Sequence, residues 1–414
     1  MRASVTDREN LLRVAAATLE ALGNGRFAEA LTESAPEEGP QADGVPRDII
    51  VNALSASLDW ARLEGESLEA ATEGVAPAAA LPYIPSNQGL ALLQTAYDEY
   101  LEERSAEITE APFDPTDPGW VSVAWEKLKA LFRGKRRFIR HTSLSSFQQD
   151  LPANAVVVLY SDWGTGEDTA RRVMQQIRAV NPTHAIHLGD VYYSGTPGEI
   201  QKRFLDVLDS DGPPAGCRHF ALNSNHEMYS GGYGYFDTTL PRFGQEASYF
   251  NLRNAHWQLI GLDSGYEDHG LQEPQKEWLT AQLGGGGRRS ILLSHHQLFS
   301  AYESRALDRP LARKVTPLLP QIYAWFWGHE HRCIIYGQHL GIKARCIGHG
   351  AIPESVPYGP ASFPQIPIVQ VDQRPAPGSS HDNIHGFAVL RFNGATLNVS
   401  YVDEFGTVFF NETL

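Results

Sequence analysis

The sequence predicts a mixed α/β protein preceded by a small all-α domain, and two patterns lead to this prediction. From about Asn154 onward, short apolar runs rich in Val, Ile, Tyr and Phe alternate with loops rich in Gly, His and Asp, which is typical of strands in layered α/β folds. Before residue 110, apolar residues recur at three- and four-residue spacing, which is typical of amphipathic helices. With 414 residues, 42% hydrophobic and 20% charged, the chain has the composition of a globular protein of two or three domains.

Residues 1–110 are predicted to form an acidic helical domain. They contain seven Arg, no Lys and twenty acidic residues, so they carry −13 of the chain's net charge of −15. Three apolar stripes, which begin at Leu11, Ile49 and Leu90, each have the spacing of one helix face. The contrast in charge with the rest of the chain predicts a domain boundary near residue 110, and the domain is a candidate interaction module.

A proline-rich linker and a basic amphipathic segment are predicted over residues 111–150. Three prolines between residues 111 and 119 prevent a helix from continuing through this stretch. An amphipathic segment, Val121 to Phe132, then runs into the dense basic run from Arg133 to His141. The basic run is a solvated linker face, an internal dock for the acidic domain, or a contact for an acidic lipid or partner, and the sequence leaves these alternatives open.

Residues 151–414 are predicted to form the α/β domain. Apolar runs predict strands over Ala155–Tyr160, His184–Leu188, His219–Asn223, Trp257–Leu262, Ser290–Ser294 and Ala324–Trp327. Helical patterns predict helices over Asp168–Val180 and Glu199–Leu208. The end of the chain predicts antiparallel strands over Phe387–Phe392, Thr396–Val402 and Thr407–Phe410, with turns at Asn393-Gly394 and Phe405-Gly406.

Five predicted strands end in polar clusters, and these clusters carry the candidate chemistry. In chain order they are Tyr160-Ser-Asp-Trp-Gly164, Leu188-Gly-Asp-Val-Tyr-Tyr193, Leu222-Asn-Ser-Asn-His-Glu227, Ser294-His-His296 and Trp327-Gly-His-Glu-His331. Polar residues directly after a strand lie at the carboxyl edge of a sheet, where ligands bind in layered α/β folds. Asp, Asn, His and Tyr supply oxygen and nitrogen donors that suit Fe, Mn or Zn, so the sequence predicts a metal site.

In order and spacing, the clusters resemble the motifs of the calcineurin-like metallophosphoesterases. That pattern is Asp-x-His or Asp-x-Gly, then Gly-Asp, Gly-Asn-His-Asp/Glu, His and Gly-His-x-His, and all five blocks occur here in order, although serines replace the glycines before Asp162 and Asn225. The Asp-x-Gly and Gly-Asp-x-x-Tyr forms are most similar to the purple-acid-phosphatase branch, in a bacterial, cytoplasmic form. The resemblance implies a sandwich of two β-sheets flanked by helices, with a dinuclear metal site at the loops of one edge.

The resemblance also implies a role for each motif residue. Seven residues would hold two metal ions: Asp162, Tyr193 and His331 the first, Asn225, His295 and His329 the second, and Asp190 both. His226 would act on the substrate or leaving group, and Glu227 would orient it. The phenolate of Tyr193 would favour Fe(III) in the first site, with Fe, Mn or Zn as the divalent partner.

Several assignments stay open at this point. His295 follows its strand directly and matches the ligand motif, whereas the adjacent His296 is the alternative ligand or a substrate contact. Tyr193 is a metal ligand or a wall of the pocket. Tyr229, in a Gly-rich loop, and His349, in a Gly-His-Gly sequence after a predicted strand, are candidate substrate contacts.

The predicted function is hydrolysis of a phosphate monoester, in a small molecule or a phosphoprotein, by hydroxide held by two metal ions. One alternative is a phosphodiesterase that acts on a cyclic nucleotide or another small diester. Another is an effector enzyme recruited to a protein partner through residues 1–110. That region, with Trp60-Ala-Arg and Pro85-Ser-Asn-Gln, faintly resembles the small helical adaptor domains of bacterial conflict systems.

The composition disfavours some partners and locations. An acidic chain is a poor ligand for nucleic acid, because phosphate contacts need clustered Lys and Arg. The apolar runs are all much shorter than the ~20 residues of a membrane span. The N-terminus does not have the pattern of a secretory leader, and the three cysteines are widely spaced, so we expect a cytoplasmic protein.

Overall fold

The computed structural model describes residues 8–23, 47–72, 84–104, 118–129, 133–303, 306–379 and 381–414. Contacts within the chain divide it into two compact units. The first comprises Met1–Lys135 and Tyr229–Gly231, and the second comprises Arg136–Met228 and Gly232–Leu414. The division falls inside the predicted linker and basic segment, of which residues 111–117 lie outside the described ranges. The predicted boundaries at residues 110 and 150 stay predictions.

The first unit is helical. Its helices are α1 Arg8–Gly23, α2 Arg47–Thr72, α3 Gln88–Arg104 and α4 Pro118–Leu128. Their apolar faces share one core around the fully buried Trp120. The rings of Tyr97 and Tyr100 meet the Trp120 ring edge-on, with centroids 5.8 and 5.6 Å away, and the indole N–H donates to Thr18 Oγ1 at 2.9 Å. Helix α4, in the stretch predicted as linker and amphipathic segment, therefore completes this core.

Within the described ranges, the strands all belong to the second unit. They are β1 Gln148–Asp150, β2 Val156–Tyr160, β3 His184–His187, β4 Arg218–Ala221, β5 Phe250–Arg253, β6 Trp257–Gly261, β7 Arg289–Ser294, β8 Ala324–Trp327, β9 Cys333–Tyr336, β10 Lys343–Ile347, β11 Ile368–Val371, β12 Gly386–Asn393, β13 Thr396–Asp403 and β14 Val408–Thr413.

The remaining helices are mostly short. They are α5 Asp168–Val180, α6 Pro197–Glu199, α7 Asp206–Asp211, α8 Asn225–Tyr229, α9 Leu240–Phe243, α10 Gln275–Leu283 and α11 Pro310–Val315. Segments of π-helix, Ile200–Leu205 and Tyr235–Thr239, precede α7 and α9, and 3₁₀ turns, Ala306–Asp308 and Thr316–Gln321, flank α11.

The strands form two sheets. One has eight strands in the order β1-β5-β6-β7-β8-β10-β9-β11, and the other has six in the order β14-β13-β12-β2-β3-β4. Strands β2, β3 and β4 are parallel, with Tyr160 opposite His187 and His187 opposite Ala221. Strands β7 and β8 are also parallel, with Ser294 opposite Trp327. Because parallel strands end at the same edge, the polar clusters after these strands come together within each sheet.

Three buried cores separate the layers. One lies between the two sheets and contains apolar side chains of both, such as Val157 and Leu293. A second lies between the six-stranded sheet and helices that include α5, which contributes Met174. A third covers the outer face of the eight-stranded sheet and contains Trp278 of α10 and Leu311 of α11. The sheets are therefore packed on each other and flanked by helices, the αββα arrangement.

The predicted fold class is confirmed, and every predicted strand overlaps an observed one. Strands β1, β5, β9, β10 and β11 are additional to the strands named in the prediction; each has only three to five residues. In the described parts of the chain, every helix is too short or too polar to cross a membrane.

Candidate metal centre

The loops after β2, β3 and β8 hold their polar residues in an unusual backbone conformation. Asp162, Asp190 and His329 have φ angles of 54°, 77° and 66°. Residues with a side chain adopt this left-handed region rarely and at some cost, and such residues concentrate at functional sites. Gly328 precedes His329, and a Cβ atom there would lie 2.5 Å from a carboxylate oxygen of Asp162. The glycine therefore lets the β8 loop approach the β2 loop closely.

Three side chains converge beside Asp162. The Tyr192 hydroxyl donates to Asp190 Oδ2 at 2.8 Å, and it lies 3.3 Å from Asp162 Oδ1. His331 Nε2 lies 3.2 Å from the Tyr192 hydroxyl and 3.6 Å from Asp162 Oδ1. Ligand atoms of Asp162, Asp190 and His331 all lie within 4.8 Å of one another. At this spacing a single cation can contact all three residues.

A second set of donors meets the opposite oxygen of Asp190. His295 Nδ1 donates to the Leu188 carbonyl at 3.1 Å, which leaves a lone pair on Nε2. That Nε2 lies 3.0 Å from Asn225 Oδ1, 3.2 Å from Asp190 Oδ1 and 3.2 Å from His329 Nδ1. Asp190 Oδ1 is buried and has no hydrogen-bond partner among the described residues. Acceptor atoms that face each other repel unless a cation lies between them, so this donor set fits a metal ion.

Burial determines the protonation states of the histidines and aspartates in the candidate centre. It lowers the pKa values of His295 and His331 to about 4, so both imidazoles are neutral at pH 7 and can bind a metal. Burial, and then the charge of Asp190, raises the pKa of Asp162 well above its ordinary value. Burial alone would also raise the pKa of Asp190, but the His295 and His226 imidazoles hold it below its ordinary value. A cation would offset the negative charge that makes Asp162 difficult to ionise.

His226 lies beside Asp190. Its Nδ1 donates to the Tyr193 carbonyl at 2.6 Å, and its Nε2 lies 3.9 Å from Asp190 Oδ2. The backbone N–H of His226 donates to the Ser224 hydroxyl at 3.1 Å, which caps the start of α8. These contacts fix the ring so that Nε2 is the nitrogen directed at Asp190.

Glu227 contacts the other side of the same loop. Its carboxylate accepts from the backbone N–H of Asp190 at 3.3 Å and from the Ser224 hydroxyl. Burial, and then the charge of Asp190, raises the pKa of Glu227 to about 8. Ser224 contacts both Glu227 and His226, so Glu227 can influence His226 through this hydroxyl as well as hold the Asp190 backbone.

Residues 155–333 match the family model described as calcineurin-like phosphoesterase. These residues form a calcineurin-like phosphoesterase domain. The matched range contains all seven predicted metal ligands, as well as His226 and Glu227. The matched residues are therefore a domain of the kind that hydrolyses phosphoesters with the help of metal ions.

Several solved structures are similar to the phosphoesterase domain at low sequence identity. The Plasmodium protein GAP50, described as the anchor in the inner membrane complex, is 14% identical with a TM-score of 0.45, over 63% of this chain and 88% of that chain. A dimetal phosphatase from Danio rerio is 13% identical with a TM-score of 0.42, over 63% of this chain and 98% of that chain. None of the curated proteins matches this sequence.

In the phosphoesterase domain, the tyrosine whose hydroxyl contacts the two carboxylates is Tyr192, one residue before the predicted Tyr193. The Tyr193 ring lies under the Arg203 guanidinium, 4.7 Å from its centroid, and its backbone N–H donates to Glu199 at 2.5 Å. Tyr193 also supplies the carbonyl that binds His226. Stacking on Arg203 and these backbone bonds therefore fix Tyr193, and its role as a ligand stays a prediction.

The three predicted substrate contacts lie in different surroundings. His296 is fully buried, with its ring centroid 4.7 Å from that of His329. Tyr229 belongs to the helical unit, where its hydroxyl donates to the Ser86 carbonyl at 2.8 Å. His349 is buried beside Gly386, and its ring nitrogens have no hydrogen-bond partner within the described ranges. Of the three, only His296 has a described ring contact with a predicted metal ligand.

His269, which was not predicted from the sequence, lies next to His296. The ring centroid of His269 is 3.9 Å from that of His296 and 5.2 Å from that of His329. Burial, and then His269, lowers the pKa of His296 to about 3, so His296 is neutral at pH 7. The signal that could have found this loop is the end of the predicted strand Trp257–Leu262, because Asp263 and Ser264 follow it as polar residues follow the other strands.

Proposed function

We propose that the protein hydrolyses a phosphate monoester at a dinuclear metal centre of the purple-acid-phosphatase type. In this proposal three groups of ligands hold the metals: Asp162, Tyr192 and His331 the first, Asn225, His295 and His329 the second, and Asp190 both. The observation that supports it best is the position of Asp190, whose Oδ2 faces the first group and whose Oδ1 faces the second.

The donor atoms suit two different cations. Two carboxylates and a phenol favour a hard cation such as Fe(III) at the first position, whereas imidazole and amide donors suit Fe, Mn or Zn as the divalent partner. Burial, and then Asp190, raises the pKa of Tyr192, so this phenol would ionise only against a bound cation. When bound, the two cations would lower the pKa of a water molecule and polarise the phosphoryl oxygens.

His226 would supply the proton that the leaving oxygen needs. Its Nδ1 donates to the Tyr193 carbonyl, and its Nε2, which would carry the proton for the leaving oxygen, lies 3.9 Å from Asp190 Oδ2. Protonation of a leaving alkoxide by a positioned group contributes about 10²–10⁴-fold to such a reaction.

A phosphodiesterase is the second candidate, and a basic cavity favours it. Arg137 and Arg140 line a cavity of about 270 Å³ together with Tyr266 and Gln272. Tyr266 and Gln272 belong to the same chain segment as His269, between β6 and α10. Two guanidinium groups could bind the additional charged part of a nucleotide or other diester.

Recruitment to a protein partner through residues 1–110 stays a prediction, and so does a cytoplasmic location. A reducing compartment would suit the three cysteines, Cys217, Cys333 and Cys346, which are all free thiols.

The proposal is tested by hydrolysis of an aryl phosphate monoester and the matching diester, with full-length protein loaded with Fe, Mn or Zn. We expect monoester turnover that falls by about 10³-fold or more in Asp190→Asn, which keeps the shape but removes the bridging charge. Asp308→Asn, at an exposed aspartate, is the matched control and should retain turnover. Faster diester turnover would favour the phosphodiesterase. Folded, metal-loaded protein that hydrolyses neither ester would overturn the proposal.

A further inference from the structure

Three histidines beside the candidate dinuclear centre form a separate group of donors, which we name the histidine cluster: His269, His296 and His329. One ring nitrogen of each lies within 4.8 Å of the others. The residues come from three loops, after β6, β7 and β8. The contact between the rings of His269 and His296, with centroids 3.9 Å apart, is the closest in the cluster.

Hydrogen bonds determine which nitrogens of His269 and His296 remain available. Asp268 Oδ1 accepts from His269 Nδ1 at 2.9 Å, and the Ser264 hydroxyl is bonded to His296 Nδ1 at 3.0 Å. In each residue Nδ1 therefore forms a hydrogen bond, and Nε2 remains available to bind a metal. Histidines that bind metals ordinarily engage their second nitrogen in this way, with a carboxylate, carbonyl or hydroxyl.

The two remaining nitrogens are buried without a hydrogen bond in the described part of the chain. His269 is 7% exposed and His296 is 0% exposed, and the Nε2 atoms of both are buried without a hydrogen-bond partner among the residues the structure describes. Buried polar atoms are almost always paired, so two unpaired nitrogens beside a third imidazole indicate a missing ligand. The Nδ1 of His329 faces His295, so His329 would serve both sites as a bridging imidazolate, and the proton of its second nitrogen would be released to solvent when the third ion binds.

We propose that the histidine cluster binds a third metal ion, a divalent cation such as Zn²⁺. Three imidazoles are a common set of protein ligands for this ion, and a carboxylate can complete its tetrahedral shell. Asp268 Oδ1 is bonded to His269 Nδ1 and lies 3.4 Å from His296 Nε2, so it borders the cluster, and a water molecule would take the fourth position instead. The third site shares His329 with the proposed dinuclear centre but does not require that centre to be catalytic.

The test is the number of zinc ions that the full-length chain retains. Metal-free protein is equilibrated with Zn²⁺ alone, unbound metal is removed, and zinc per chain is counted by mass spectrometry. We expect three zinc ions in the wild type and two in His269→Ala/His296→Ala. His256→Ala removes an exposed histidine outside the cluster, and this matched control should keep three.

Asp190→Asn separates the third site from the dinuclear centre. This variant should lose the dinuclear pair and keep one zinc ion, and adding His269→Ala/His296→Ala should remove it. If the alanine variants do not fold by circular dichroism, His269→Gln/His296→Gln keeps the side-chain size and should show the same loss. Equal zinc content in the wild type and the folded double variant would overturn the third site. Loss of all zinc in Asp190→Asn would overturn it as well, while supporting the dinuclear centre.

Discussion

The two donor groups at the sheet edges differ in what their atoms can hold. Around Asp190, carboxylate, phenol and amide oxygens mix with imidazole nitrogens. The histidine cluster offers three imidazoles, with the Asp268 carboxylate at its margin. Oxygen-rich groups suit hard, highly charged cations, whereas imidazole-rich groups suit Zn²⁺. The difference teaches that neighbouring loops of one fold can provide two kinds of metal site that share a single residue, His329.

The largest expected effect concerns His226. It tests whether His226 donates a proton to the leaving group or instead binds a metal ion. His226→Gln keeps a polar side chain but removes the proton at Nε2, so we expect turnover of an alkyl phosphate to fall by about 10²–10⁴-fold. Metal content should stay as in the wild type, because the proposed ligands are untouched. Steady-state kinetics and metal analysis on the same preparation measure both quantities.

The control for this prediction is the leaving group. An aryl phosphate with an acidic phenol needs little protonation, so its turnover should fall less in His226→Gln than that of an alkyl phosphate. Loss of metal from the variant would show instead that His226 is a ligand, and the distinction between the reacting and binding residues would be wrong.

A smaller effect on metal binding should show whether Tyr192 or Tyr193 is the ligand. The result also tests whether the first position has the oxygen donors that a hard cation prefers. Tyr192→Phe should weaken metal binding at the first position by at least about 10-fold, since changes even to residues behind a ligand cost that much. It should also abolish the visible absorption that a phenolate gives when bound to Fe(III). Tyr193→Phe is the matched control and should retain the metal and the absorption. The opposite pattern would restore Tyr193 as the ligand, as the resemblance implies.

The sequence was most informative at the ends of strands. Asp162, Asp190 and His295 lie within three residues of the end of an apolar run, and the parallel pairing of the strands brings such ends to one edge. A polar residue in that position is therefore placed by the register of its strand. This is why a mixed α/β fold with a metal site at its strand ends could be predicted from residue patterns, whereas the αββα arrangement and the role of each ligand were implied by the resemblance.

Residues inside the loops were harder to predict because no periodicity fixes their direction. Tyr192 and Tyr193 are adjacent, and the stacking of Tyr193 against Arg203, ten residues further along the chain, cannot be read from their spacing. His269 lies seven residues after Leu262, so only the folded loop brings it to His296. Strand β10 is the strand predicted before Gly348, and it accommodates the buried Arg345 because the Glu412 carboxylate pairs with that residue at 2.6 Å.

The smallest expected effect is a change of stability with pH. Buried histidines outside both donor groups and buried acids should change the free energy of unfolding in opposite directions. Burial lowers the pKa values of His187 and His385 to about 3 and that of His349 to about 4. In the unfolded chain, histidines bind protons near pH 6.5, so between pH 6.5 and 4 the unfolded state binds more protons than the folded state. As pH decreases through this window, the free energy of unfolding should therefore decrease, by up to about 1.4 kcal/mol per pH unit for each histidine.

Two buried acids change stability with pH in the opposite direction. Burial raises the pKa values of Glu227 and Glu330 to about 8, so between pH 4.5 and 8 the folded state binds more protons at these groups and gains stability as pH falls. Metal-free protein should then be most stable near pH 6.5, where the contribution of the acids is present and that of the histidines is not yet lost. Urea unfolding at pH 8, 6.5 and 5 measures this, and His385→Gln should flatten the acid side. Stability that rises continuously from pH 6.5 to 5 would mean that the buried histidines accept protons without opening the fold.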